Sequence, residues 1–292
     1  MKFYKMQASG NDFILIQATG RNPQAAGLNY KKFAKMYCKR KFGIGADGLL
    51  VIEPSKKYDF KMRIFNADGS EAEMCGNGAR CSALWAYQNL LKGRRNMSFE
   101  AKAGIINAQT GEAENVKIRL SEPVRIKSGL SLKILGRNIK VDYIDTGVPH
   151  AVIFVEGIDK IDVDKIGRAV RFHKKFQPKG VNADFVEVEK RDFISIRTYE
   201  RGVEAETLAC GTGVAAAAVI AGDRVRRTED RNQMTDSRKQ KTENKFRIKV
   251  LTKSGDILKV YFQKEEGNIR DVWLEGKASF VFEGILKSID KY

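Results

Sequence analysis

The longest run of apolar residues in the chain, Val214–Ala221, reads "VAAAAVIA" and lies between Gly-Thr-Gly and Gly222. Its alanine density predicts a helix over "TGVAAAAVIAG", opening just after Cys210 and ending near Gly222. A second stretch, "NGARCSALWAYQNLL", has the same character after Cys75 and predicts a helix that ends near Gly93. Elsewhere apolar and polar positions alternate: "KMRIF" and "SIRTY", bounded by Gly and Asp turns, predict strands. Gly turns also feed strand-like apolar runs at "SGNDFILIQ" (9–17) and "TGVPHAVIFVE" (146–156). The pattern is that of a strand-rich chain with helices that follow directly on a Cys-Gly pair.

These landmarks repeat. The two Gly-turn strands are offset by 137 positions, "IGADGLLVIE" (44–53) matches "VNADFVEVE" (181–189) at the same offset, and "AEMCGNGARC" (72–81) matches "ACGTGVA" (209–215) at an offset of 135. Matching landmarks in one order at nearly constant spacing indicate two copies of one domain.

Length is consistent with that duplication, since 292 residues favour about two domains, each large enough to bury a core. With 42% hydrophobic and 30% charged residues the composition is that of a globular protein, and no apolar run approaches the roughly 20 residues of a membrane span. The start, "MKFYKMQASGNDF", lacks the apolar block of a secretory signal, so a cytoplasmic location is expected. The net charge of +17 raises the question of nucleic acid, but much of the excess sits in one place. Residues 224–249 hold ten Lys/Arg against four Asp/Glu, a net of +6, with no aromatic before Phe246 on which a base could stack. A solvated connection is expected there, and nucleic-acid binding is not. Four cysteines (Cys38, Cys75, Cys81, Cys210) are too few for a disulfide scaffold, and two histidines with no Cys-x2-Cys pair argue against a metal site.

Cys38 and Cys81 read as small buried hydrophobes. Cys75 and Cys210 differ, because each precedes Gly-polar-Gly at a strand-to-helix junction in its own copy. There the unpaired N–H groups and the positive end of the helix dipole favour anions and are expected to depress a thiol's pKa. Two equivalent thiols can hold opposite faces of one carbon, one as thiolate and one as thiol, which suits inversion of a stereocentre by proton abstraction and redelivery. Backbone N–H groups at Gly76, Asn77, Gly211 and Thr212 would bind the substrate carboxylate and the charge developing on it.

The motifs "ASGNDF", "GIGADG", "FNADGSEAEMCGNGARC", "GVPHAV", "VNADF" and "YERGVEAETLACGTG" together resemble those of the diaminopimelate epimerases, pyridoxal-independent enzymes that interconvert LL- and meso-diaminopimelate. The resemblance runs from Met1 to about Ala221 and more weakly to "LEGKASFVFEGIL". It implies an α+β fold of two pseudo-symmetric, strand-rich, barrel-like domains, each wrapped around a central helix, with the active site in the cleft between them. One half would comprise residues 1–122 with 278–292, the other 123–277 with a basic insertion at about 224–245. It implies Cys75 and Cys210 as the catalytic pair and substrate contacts at Asn11, Asn66, His150, Asn182, Glu200 and Arg201. No metal or other cofactor is implied, the partner being a small amino-acid substrate. Association into a homodimer is compatible with this reading.

The chain departs from the pattern at Val148, where many members carry Asn, and at Gly48, where some carry Gln. Both changes bear on recognition of the far end of the substrate rather than on proton transfer. The nearest alternative is a related racemase acting on histidine or proline, although proline racemases resemble Cys-Gly-His where this chain has Cys75-Gly76-Asn77. Phenazine-type isomerases of the fold lack the paired cysteines.

Overall fold

The computed structural model describes residues 1–18, 27–232 and 244–287. The chain divides into one unit of Met1–Arg119 with Glu275–Tyr292 and another of Leu120–Leu274.

In the first unit β1 (Lys2–Ala8) and β2 (Asn11–Gln17) form an antiparallel hairpin whose two turn residues, Ser9 and Gly10, both have positive φ. That geometry twists in the same sense as the strands. β2 continues parallel to β3 (Gly48–Glu53) after α1 (Tyr30–Tyr37), which is capped by the Asn29 side chain and buries Phe33 and Ala34. β3 pairs antiparallel with β4 (Lys61–Asn66). β4 in turn pairs antiparallel with the short β5 (Glu71–Ala72) and parallel with β6 (Asn96–Ala101). The antiparallel strands β7 (Gly104–Thr110) and β8 (Asn115–Arg119) complete this run. Between β5 and β6 lies α2 (Gly76–Asn89). Every residue from Asn77 to Ala86 on it is buried, so it has no solvent stripe and serves as the core around which the strands pack.

The second unit repeats the order. β9 (Val124–Ile134) pairs antiparallel with β10 (Arg137–Asp145), and β10 with β11 (Pro149–Phe154). After α3 (Val163–Arg171) comes β12 (Asn182–Lys190), parallel to β11 and antiparallel to β13 (Phe193–Glu200). β13 takes the short β14 (Ala205–Thr207) antiparallel and β15 (Lys245–Leu251) parallel. β15 is antiparallel to β16 (Ile257–Glu265). The central helix here is α4 (Gly211–Asn232), buried throughout Val214–Ala221. β17 (Asn268–Lys277) leads back to the first unit, where the last strand, β18 (Ser279–Ile285), pairs antiparallel with β1. The expected α+β architecture of two strand-rich repeats, each around a helix, is thus the observed one. None of the helices among the described residues is long and apolar enough to cross a membrane.

Two expectations need correction. α4 does not stop near Gly222 but continues to Asn232. Gly222 is there because a Cβ would stand 2.8 Å from Cζ of Phe262, a close approach rather than a helix end. Just beyond it, Arg224 bonds the buried Asp142 carboxylate at 2.7 Å and lies 3.8 Å from the Phe154 ring centroid, which anchors a further turn. The anticipated solvated connection therefore begins as helix, and its stretch 233–243 lies outside the described residues.

The second correction is one of register. Phe13 and His150 are 137 apart, but their strand partners Gly48 and Asn182 are 134 apart. The match of "GADG" to "NADF" is three residues out of step. Asp47 precedes β3, whereas Asp184 lies inside β12, where the first unit has Leu50.

Candidate active site

Cys75 is the N-cap of α2, in extended conformation, and its sulfur accepts the Gly78 N–H at 3.5 Å. The thiol donates to Oδ1 of Asn11 at 3.6 Å, and the Asn77 amide donates to the same oxygen at 3.5 Å. The amide of Asn11 is oriented from its other end, since Nδ2 donates to Asp47 Oδ2 at 2.8 Å. Asp47 is held in turn by Arg40, which also grips both oxygens of Asp12. Burial alone would raise the Asp12 carboxyl, but its bonds to Arg40 and Lys5 outweigh that and hold it well below the usual range. Asn77 is itself buried and accepts from the fully buried Arg80 at 2.7 Å, with Arg80 also donating to Ser9 at 3.0 Å.

Asn66 is exposed at the end of β4, opposite Gly48, and its amide donates to Ser70 Oγ at 2.9 Å. Gly48 has no room for the longer residue of some relatives, because a Cβ would lie 2.8 Å from the Phe65 carbonyl oxygen.

Cys210 directly precedes α4 and is buried, at 8% exposure. Its sulfur lies 3.4 Å from Thr212 Oγ1, and that hydroxyl is 3.1 Å from His150 Nε2. His150 Nδ1 is 2.7 Å from Asp184 Oδ2, both side chains being fully buried, while Thr198 donates to Asp184 Oδ1 at 2.8 Å. Strand register makes this assembly possible. His150 on β11 is opposite Asn182 on β12, and Asp184, two residues on, is opposite Thr198 on β13. With side chains alternating along each strand, all of them share the face beneath the start of α4. Gly213 lets the helix come down on them, since a Cβ would stand 2.6 Å from Asp184 Oδ1.

Asn182 completes the group. Its Oδ1 accepts the Arg201 backbone N–H at 2.7 Å, which turns Nδ2 toward His150 Nε2 at 3.4 Å. The Arg201 guanidinium donates to the Lys179 carbonyl at 3.2 Å. Burial raises the Glu200 carboxyl, and the neighbouring Asp184 carboxylate adds to the effect.

The expected depression of thiol pKa at a helix start is not what Cys210 experiences. Burial pushes its thiol up, the Glu200 and Asp184 carboxylates push it further, and the bonds from Thr212 and the Gly213 N–H offset only part. The dipole contributes at most about 2 kcal/mol, and here it is outweighed. Cys210 is therefore a thiol at neutral pH. Cys38 and Cys81 are buried as expected, and burial raises both, Cys38 to about 12.

The structure thus gathers Cys75, Asn11, Asn77 and Gly76 at one helix start and Cys210, Gly211, Thr212, His150, Asn182 and Glu200 at the other. Sequence reasoning missed Asp184, Thr198 and Asp47. An Asp within the apolar strand "NADFVEV" was the available signal, because a carboxylate is rarely buried unless paired. Among the described residues no group of three or more His, Cys, Asp or Glu side chains is placed to hold a metal ion.

Known proteins share this framework. Among solved structures, a phenazine biosynthesis protein of Bacillus anthracis superposes with a TM-score of 0.67 at 18% identity, covering 98% of this chain and 99% of the other. A probable proline racemase of Agrobacterium radiobacter gives 0.65 at 12% identity, covering 100% and 94%. At such identities the likeness is one of fold. Sequence relatives are nearer. The diaminopimelate epimerase of Aquifex aeolicus is 40% identical over 293 residues, 98% of each chain, and that of Archaeoglobus fulgidus is 37% identical over 298 residues, 98% of this chain and 96% of the other. The family model described as Diaminopimelate epimerase matches residues 3–126 and 143–281, taking in both cysteine-led helices and the strands beneath them, so the chain belongs to the diaminopimelate epimerase family.

Proposed function

We propose that the chain interconverts LL- and meso-2,6-diaminopimelate without pyridoxal phosphate, with Cys75 and Cys210 acting on opposite faces of the alpha carbon. The observation that carries this reading is the cysteine at the start of the central helix in each repeat, followed both times by Gly, a polar residue and Gly. In one direction the Cys75 thiolate takes the alpha proton while the Cys210 thiol delivers its own proton to the other face. In the reverse direction the roles exchange. Burial, which keeps Cys210 protonated, suits it to the acid role in the free enzyme.

The first N–H groups of α2 and α4, at Gly76, Asn77, Gly211 and Thr212, would receive the alpha carboxylate and the negative charge that builds on it. Asn11, Asn66, Asn182 and Glu200 are the proposed polar contacts of the remainder, with the fully buried His150 lining the site beneath Thr212, and Arg201, with donors left over from Lys179, suits a bidentate grip on the distal carboxylate. A cytoplasmic location fits this reading, as does a homodimer.

The test is turnover in deuterated water. Early product should carry deuterium at the inverted carbon while recovered substrate stays largely protiated, in both directions, and Cys75→Ala or Cys210→Ala should each lower turnover by about 10²–10⁴-fold. Unlabelled early product, or near-normal epimerisation by either variant, would refute the two-thiol assignment.

A further inference from the structure

The repeats differ in chemistry beneath the second glycine of the central helix. In the first unit the three strand positions there are Phe13, Leu50 and Ile64, all buried, and Gly78 lies against Leu50 and Phe13. In the second unit the register-equivalent positions are His150, Asp184 and Thr198, and Gly213 lies against Asp184 and Thr198. Packing a helix on this face evidently does not require polar groups. A fully buried carboxylate such as Asp184 is also a poor source of stability, because the hydrogen bonds it accepts largely offset the cost of its desolvation. Stability therefore does not explain the polar set, which has to be accounted for by what lies above it, Cys210.

The hydrogen bonds of the set run one way. Asn182 Nδ2 can only donate, and its orientation is fixed by the Arg201 N–H on its Oδ1, so His150 Nε2 presents a lone pair to it. The imidazole proton is then on Nδ1, where the Asp184 carboxylate accepts it at 2.7 Å. The Thr212 hydroxyl donates to Nε2, which leaves its oxygen to accept from the Cys210 thiol. We propose that Asp184 is a positioning residue for the Cys210 half of the reaction: by holding His150 in the Nδ1–H tautomer it makes Nε2 the terminus of a relay from the Cys210 sulfur through the Thr212 hydroxyl.

When Cys210 has to become a thiolate, its proton passes to Thr212 Oγ1 as the Thr212 proton passes to Nε2. The S–H bond and the original O–H bond break, a new O–H and an N–H form, and the resulting imidazolium stands against the Asp184 carboxylate with no net charge created. Beneath the helix that follows Cys75 the equivalent positions are the apolar Phe13, Leu50 and Ile64, so the two thiols stand on chemically unequal ground. The titratable groups facing the relay are Asp184 on β12, Glu200 on β13 and Cys210 itself.

The inference rests on the two-thiol reading for its link to turnover, and the tautomer and alkylation measurements keep the two distinguishable. The chain has only His150 and His173, so 15N-labelled histidine gives two imidazole signals, which His173→Gln assigns. His150 in the wild-type protein is expected to carry its proton on Nδ1; a proton on Nε2 alone would overturn the proposal. In Asp184→Asn the proton is expected to move to Nε2, kcat to fall about 10²-fold or more with KM changed only a few-fold, and iodoacetamide alkylation of Cys210 to shift to higher pH while that of Cys75 stays. An Asp184→Asn protein with wild-type kcat and an unshifted Cys210 profile would equally overturn it. Should that variant fail to fold, the tautomer of the wild-type protein and the Cys210 alkylation profile of Thr198→Val, which loses one bond to Asp184, decide the matter. If alkylation responds but neither cysteine variant alters epimerisation, the two-thiol reading fails and the relay stands.

Discussion

A single carboxyl shows how environment sets behaviour at the residue scale. Glu200 is raised above its ordinary value by burial, with Asp184 adding to the shift. A raised carboxyl favours the native state at low pH, and that advantage is lost as pH rises from the unfolded value through the folded one. Glu200→Gln removes the charge that has to be buried. The variant is therefore expected to show a higher Tm than the wild-type protein at pH 8, with the difference narrowing toward pH 4, while epimerisation falls. A Tm difference that widens on acidification would contradict the assignment. The same logic explains why Cys210 could not be understood from its helix start alone. The dipole is a property of sequence position, but the opposing burial and carboxylates come from β12 and β13, which the sequence does not place beside it.

At the scale of elements, the helix starts were legible because a cap, a glycine and an alanine-rich run are local signals. The end of α4 was not, since Gly222 serves contact with Phe262 and not termination. This yields a quantitative expectation. Gly222→Ala gains up to about 1 kcal/mol of helix propensity but forces a methyl to within 2.8 Å of an aromatic edge, and overpacking of that kind costs about 1–3 kcal/mol. The net effect in urea unfolding should be a loss of stability, and a more stable variant would mean that Phe262 yields without cost. Register was the other failure. The "GADG" and "NADF" stretches look alike, yet strand pairing aligns Gly48 with Asn182, so two aspartates that seemed equivalent hold an asparagine amide in one case and a buried imidazole in the other.

At the scale of the molecule, chain order and unit membership part company at the end of the chain. β18 completes the first unit by pairing with β1 from Lys2↔Ile285 to Gln7↔Ser279, and the N-terminal amine donates to the Leu286 carbonyl at 2.7 Å. Phe3 packs edge-on against Phe282, with Gly284 leaving space for its ring. Deleting residues from Ser279 onward would strip a ladder from β1 and uncover Phe3, whose full burial alone contributes about 1.5–3 kcal/mol. The truncated chain is expected to lose its cooperative unfolding transition or to aggregate. A truncated protein with a wild-type urea midpoint would show that β18 is dispensable to the unit.

What the sequence alone determined was the duplication, the strand-rich character, the two cysteine-led helices and the family, because each is written in short-range spacing or in motifs kept in order. Only the tertiary structure decided that the helix after one cysteine packs on a face of phenylalanine, leucine and isoleucine while the helix after the other packs on histidine, aspartate and threonine. Strand register brings His150 to Asp184, 34 positions on, and the packing of α4 on that sheet brings it to Thr212, 62 positions on, and neither is encoded in any local window.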